Sequence, residues 1–98
     1  MEYLKNKLNV VCRTAEEEQI YREIADREGY KWEGGESLLE KRYYEEIPTS
    51  FQIGYWNSNE ITYCNDLEYR MPEDFTTVEA SVLFHNELIS RRIQHGRT

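Results

Sequence analysis

Leu8-Asn-Val-Val-Cys12-Arg-Thr14-Ala-Glu-Glu-Glu18 takes the chain from a strand into a helix within eleven residues. The run from Leu8 to Cys12 is β-prone, and Arg13 and Thr14 close it. Thr14 followed by Glu17 forms a capping box. The hydroxyl accepts an orphan N–H of the first turn and the glutamate accepts one in return, while Glu16, Glu17 and Glu18 suit the positive end of the helix dipole. A helix is therefore expected from about Ala15. Ile20, Tyr21, Ile24 and Ala25 share one side of it, and Gly29 supplies the left-handed residue that ends it.

Further along, Tyr30-Lys31-Trp32 reads as a short strand returning beside the first, broken by Gly34-Gly35. Residues 33–48 have no clean period and read as a long loop with room for one helical turn. Phe51, Ile53 and Tyr55 alternate with Gln52, Gly54 and Trp56, and after Asn57-Ser-Asn59 the alternation resumes at Ile61 and Tyr63, which predicts a hairpin. Pro72 excludes a central strand from the acidic stretch 65–74. Thr76 and Glu79 repeat the capping box, and Val78, Val82, His85, Ile89 and Ile93 fall within about 80° on a helical wheel. They predict a last helix with that stripe inward, Leu83 outward, Arg91 and Arg92 in the final turns, and Gly96 at its end. The expected fold is a single α+β domain over residues 1–98, in the order β-α-β-β-β-α. It has a small, mostly antiparallel sheet of about four strands against two helices.

Ninety-eight residues suffice for one domain, and a net charge of −7 disfavours direct nucleic-acid binding through a broad basic face. The charge is uneven: residues 16–46 carry −6 and 57–79 carry −5, with +2 at each end. No apolar run approaches the ~18 residues needed to span a bilayer, and the first residues lack a signal-peptide core, so no membrane association and a cytoplasmic location are expected. Cys12 and Cys64 are too few and too far apart for a disulfide framework and read as buried thiols.

Catalytic chemistry finds no local signature. His85 and His95 lie about 80° apart around one helix, so they cannot share an ion within it, and His85 reads as a core or interface residue. Neither Cys12 nor Cys64 stands in a nucleophile motif. The acidic runs Glu16–Glu18, Glu45-Glu46 and Glu73-Asp74 fit helix starts and solvated loops. Gly34-Gly35 lacks the Gly-Lys-Ser/Thr continuation of a phosphate loop. The expectation is a protein without catalytic residues, metal or cofactor.

Thirteen aromatic residues are more than this core needs. Tyr43 and Tyr44 adjoin Glu45 and Glu46, and Trp56 is expected on the hairpin side opposite Phe51, Ile53 and Tyr55. Large rings beside acids suit a binding surface, in which charge steers and rings hold. The residues expected to touch a partner are Glu40, Tyr43, Tyr44, Glu45, Glu46, Trp56, Asp66, Glu68, Glu73 and Asp74.

The segment Leu8-Asn-Val-Val-Cys12-Arg-Thr14, the acidic helix, Gly29-Tyr30-Lys31-Trp32 with Gly34-Gly35, and Ile61-Thr62-Tyr63 resemble, over about residues 7–64, small acidic proteins of phages and prophages of Gram-positive bacteria. In size and charge the chain is similar to anti-CRISPR-type inhibitors of bacterial defence. The resemblance implies a non-enzymatic inhibitor in the cytoplasm of the bacterial host, one that occupies the basic, nucleic-acid-binding surface of a host protein. Two alternatives come from other classes. One is a sequestering protein that stacks a small molecule or nucleotide on Trp32, Trp56 and the tyrosines, with Lys31, Lys41 and Arg42 as cations for an anionic ligand. The other is an accessory protein that forms a homodimer through Leu83.

Overall fold

The structure, a computed structural model, describes residues 2–40 and 46–95. Five strands form one sheet: β1 (Leu8–Cys12), β2 (Lys31–Trp32), β3 (Thr49–Ile53), β4 (Glu60–Cys64) and β5 (Thr76–Glu79). Three helices accompany them: α1 (Ala15–Arg27), α2 (Ala80–Leu83) and α3 (His85–His95). The strand order is β2-β4-β3-β1-β5. The α+β class is as expected, but the sheet is mixed. β1 runs antiparallel to β3 and β3 to β4, while β1–β5 and β2–β4 are parallel.

Thr14 caps α1 as expected, its Oγ1 accepting the Glu17 N–H at 3.1 Å. The Glu17 carboxylate accepts the Arg13 N–H at 3.0 Å, one residue earlier than the usual reciprocal bond. The inward face of α1 buries Ile20, Tyr21, Ile24 and Ala25 against the sheet, where Tyr21 stacks on Phe51 with centroids 4.5 Å apart. That sheet face is built in register, with Val10 opposite both Phe51 and Val78, and Ile53 opposite Ile61.

Arg22 ties the next segment to α1. Its Nε donates to the Leu38 carbonyl at 2.8 Å, and its Nη1 lies 3.3 Å from the buried Glu18 carboxylate. Leu38 is thereby held in the core, while residues 33–40 and 46–48 carry neither helix nor strand. Lys41–Glu45 lie outside the described residues, and so do Gly96–Thr98.

The structure corrects several expectations. Trp32 pairs beside Ile61 of β4, not beside β1, because both flanks of β1 are taken by β3 and β5. Thr76 and Glu79 form no capping box, and Glu79 stands at the N-cap of α2 without a side-chain capping bond. Thr76–Glu79 extend along β1, Glu79 binds Arg13 through two hydrogen bonds of 2.7 and 3.0 Å, and the helix starts only at Ala80. The inward side of the last helices is Phe84 and Leu88, not the β-branched stripe. Phe84 reaches Tyr3 and Tyr21, and Arg91 and Arg92 find Glu23 at 2.6 Å and Glu16 at 3.2 Å on α1. Val82, Ile89 and Ile93 are exposed, Val82 at 73%, and so is His85. Leu83, expected outward, is half-buried and packs on the core. No helix among the described residues is long and apolar enough to cross a membrane.

Candidate functional site

Residues that alternate with the core positions form a polar row across the sheet. The register sets Thr77, Asn9, Gln52 and Thr62 side by side on β5, β1, β3 and β4. Asn9 Nδ2 donates to Thr77 Oγ1 at 3.2 Å, Gln52 Nε2 to Asn9 Oδ1 at 3.0 Å, and Thr62 Oγ1 to Gln52 Oε1 at 2.9 Å. Gln52 Nε2 also donates to Ser50 Oγ at 3.0 Å. Asn9, Ser50 and Gln52 are buried, and these bonds satisfy polar groups that would otherwise be costly there.

At its β4 end this row becomes the floor of a cleft of about 430 Å³. That volume falls in the ~300–1,000 Å³ range of small-molecule sites. Gln52, Thr62 and Cys64 line it together with Glu33, which follows β2, and its walls come from two loops. Tyr55 and Trp56 belong to the β3–β4 connection, and Tyr69 and Met71 to the β4–β5 connection. Gly54 precedes the first wall and sets its direction. Its φ of +80° is one that side-chain-bearing residues avoid, and the strand alternation ends there. Tyr55 therefore stands with Trp56 at the cleft, not with Phe51 and Ile53 as alternation predicts. Their rings meet edge to face at 5.0 Å.

The two walls are joined by the Tyr55 and Tyr69 hydroxyls, 2.8 Å apart. This hydrogen bond, chiefly, holds the Tyr55 phenol above its ordinary pKa. Lys7 fastens the far end of the β4–β5 loop. Its Nζ donates to the Gly54 carbonyl at 3.0 Å, lies 3.6 Å from Asp74, and sits 5.1 Å from the Phe75 ring centre. Asp66 shapes the loop's start by accepting the Glu68 N–H at its side chain and the Tyr69 N–H at its carbonyl.

Of the residues expected to touch a partner, Trp56 is 69% exposed, and Glu40, Glu46, Asp66, Glu68, Glu73 and Asp74 are all exposed. They do not share one face. Glu40 follows Leu38 and Leu39 beside Arg22 of α1, whereas Asp66, Glu68, Glu73 and Asp74 lie on the loop that supplies Tyr69 and Met71. Tyr43, Tyr44 and Glu45 lie outside the described residues, as do Lys41 and Arg42. Trp32, expected as a stacking surface, lines the cleft but is almost wholly buried, with its ring among those of Phe51 and Tyr63 at 6.0 and 6.2 Å.

Cys12 is buried on the helix side, and desolvation pushes its thiol far above the ordinary range. Cys64 is half-buried at the cleft, with Sγ 3.4 Å from the Asp66 carbonyl. Among the described residues no group of three His, Cys, Asp and Glu side chains is arranged to hold a metal ion.

Sequence reasoning missed Gln52, Thr62, Asn9 and Thr77 as a unit, although Gln52 and Thr62 alternate with apolar neighbours. It also missed Glu33 and Met71, and included Tyr69 only collectively among the tyrosines. Tyr69 and Met71 sit in a stretch without period, so nothing local marks their direction. The chain matches no family model, no curated protein and no solved structure compared with it.

Proposed function

We propose that this chain is a non-enzymatic binding protein that holds a small flat ligand in the cleft at the β4 end of the polar row. One observation carries the reading: Tyr55, Trp56 and Tyr69 converge from two loops over a floor whose side chains are already fixed by hydrogen bonds. Aromatic walls over oriented polar groups suit stacking with directed hydrogen bonding, and prior order lowers the entropy lost on binding.

The test is a thermal-shift and tryptophan-fluorescence screen with flat compounds of differing charge, including nucleobases, nucleosides and amidines. Binding raises the midpoint with the logarithm of ligand concentration above Kd, and Trp56→Ala removes the response without loss of fold, because Trp56 is exposed. A panel without any response would refute the reading.

A second reading is a phage-encoded inhibitor that engages a basic host protein. Asp66, Glu68 and Glu73 support it, because they are exposed on the loop that carries Tyr69. Reversing these three to lysine separates the readings. A small ligand would still stabilise the variant, whereas association with a basic partner at low salt would be lost.

A further inference from the structure

We infer that the cleft selects a flat cation bearing N–H donors, the chemistry of a guanidinium or amidinium group. This rests on the cleft being the ligand site. The argument comes from the direction of the hydrogen bonds in the polar row. Thr62 donates toward Gln52, Gln52 toward Asn9, and Asn9 toward Thr77. Each of these three donors points away from β4 and the cleft, while Ser50 Oγ donates the other way to the Cys64 carbonyl and so occupies that acceptor without adding a donor to the cleft.

Each amide therefore turns its oxygen toward β4, and the dipoles add along the row as aligned hydrogen bonds polarise one another. The Thr62 hydroxyl has used its hydrogen and keeps lone pairs for a ligand. Glu33 brings a carboxylate to the same floor, and neither lysine nor arginine lines the cleft among the described residues. Tyr55 and Tyr69 together have two hydroxyl hydrogens and spend one on each other, so one hydroxyl hydrogen and the Trp56 N–H stand against the oxygens of Glu33, Thr62 and both phenols, and acceptors outnumber donors. The faces of Tyr55, Trp56 and Tyr69 favour cations through their quadrupoles. A phosphate or carboxylate would meet Glu33 and the oxygen end of the row without a compensating cation.

The test uses the whole 98-residue chain and four flat probes: benzamidine, benzamide, benzoate and adenine. Tryptophan fluorescence and calorimetry follow binding at pH 7 to the wild type and to Glu33→Gln, a substitution at an exposed position. Benzamidine is expected to bind at least tenfold tighter than benzamide, and benzoate not measurably. Glu33→Gln is expected to weaken benzamidine about tenfold, the loss of one charge-assisted contact, and to weaken benzamide far less. Binding of N-acetyl-arginine amide in place of benzamidine, with the same loss in Glu33→Gln, would support the same class and assign the cation to a peptide side chain. Benzoate binding as tightly as benzamidine, or cation binding indifferent to Glu33→Gln, would overturn the selection. Adenine binding without any cation binding would overturn it too, while leaving the cleft as a ligand site. Silence from every probe, together with silence in the wider screen, would remove the cleft reading itself.

Discussion

Tyr55 and Tyr69 meet hydroxyl to hydroxyl at 2.8 Å, and this contact joins the two loops that wall the cleft. The bond raises the Tyr55 phenol above its ordinary pKa, so its contribution to closure is complete below about pH 10 and is lost as pH rises through the raised value. Ultraviolet titration should show late ionisation by Tyr30, through burial, and by Tyr55. Tyr69→Phe should return Tyr55 to the ordinary range and speed hydrogen exchange at the residue 69 amide, which donates to Asp66. Identical titrations in the two proteins would show that the latch does not form.

The two thiols should differ sharply in reactivity. Cys12 is buried and desolvation holds it protonated, whereas Cys64 borders the cleft. A disulfide reagent at pH 8 should label one thiol quickly in the folded protein and both after denaturation. A bound ligand should slow the first reaction. Labelling that is lost in Cys12→Ser but kept in Cys64→Ser would contradict the assignment.

Arg22 and Glu18 form an ion pair whose side chains are only 11% and 4% exposed. Arg22→Met leaves a carboxylate in the core beside a detached Leu38 carbonyl and should cost about 3 kcal/mol in urea unfolding. Glu18→Leu combined with Arg22→Met should recover most of that loss, because the buried charge is gone. A single-variant cost below about 1 kcal/mol would mean that the pair is solvated.

Two sequences that look alike as helix starts should respond differently. Thr14→Ala removes a hydroxyl that accepts the Glu17 N–H and should cost about 1 kcal/mol. Thr76→Ala lies on an exposed strand position without a capping role and should stay within about 0.5 kcal/mol. Equal costs in chemical denaturation would overturn this distinction.

That contrast shows what was readable beforehand. The α1 cap, the apolar side of α1 and the β3–β4 hairpin depend on neighbours within a few residues, and the sequence pattern predicts all three. Thr76-Thr-Val-Glu79 carries the same box, but β1 offers it a ladder, and the Arg13–Glu79 pair fixes the extended form. The last helices fail for a related reason. Once Ala80 becomes their first residue, Phe84 and Leu88 face α1, and the arginines that looked like dipole partners reach Glu16 and Glu23 instead. The cleft was half readable: Trp56 stands where a surplus aromatic was expected, but Gly54 turned Tyr55 toward it, and Tyr69 arrives along a loop with no period.

Strand β1 occupies an inner position although it is the first strand in the chain, and its parallel flank pairs Asn9 with Thr77, 68 residues later. During synthesis Val10 and its neighbours leave the ribosome long before either flanking strand exists. The 13 residues of α1 carry their own cap but are marginal as a helix without the sheet they pack on, and the sheet cannot be completed until β5 has emerged. Folding is therefore governed by late, distant closure, which slows it and leaves the β1 backbone open to wrong pairing in the interval.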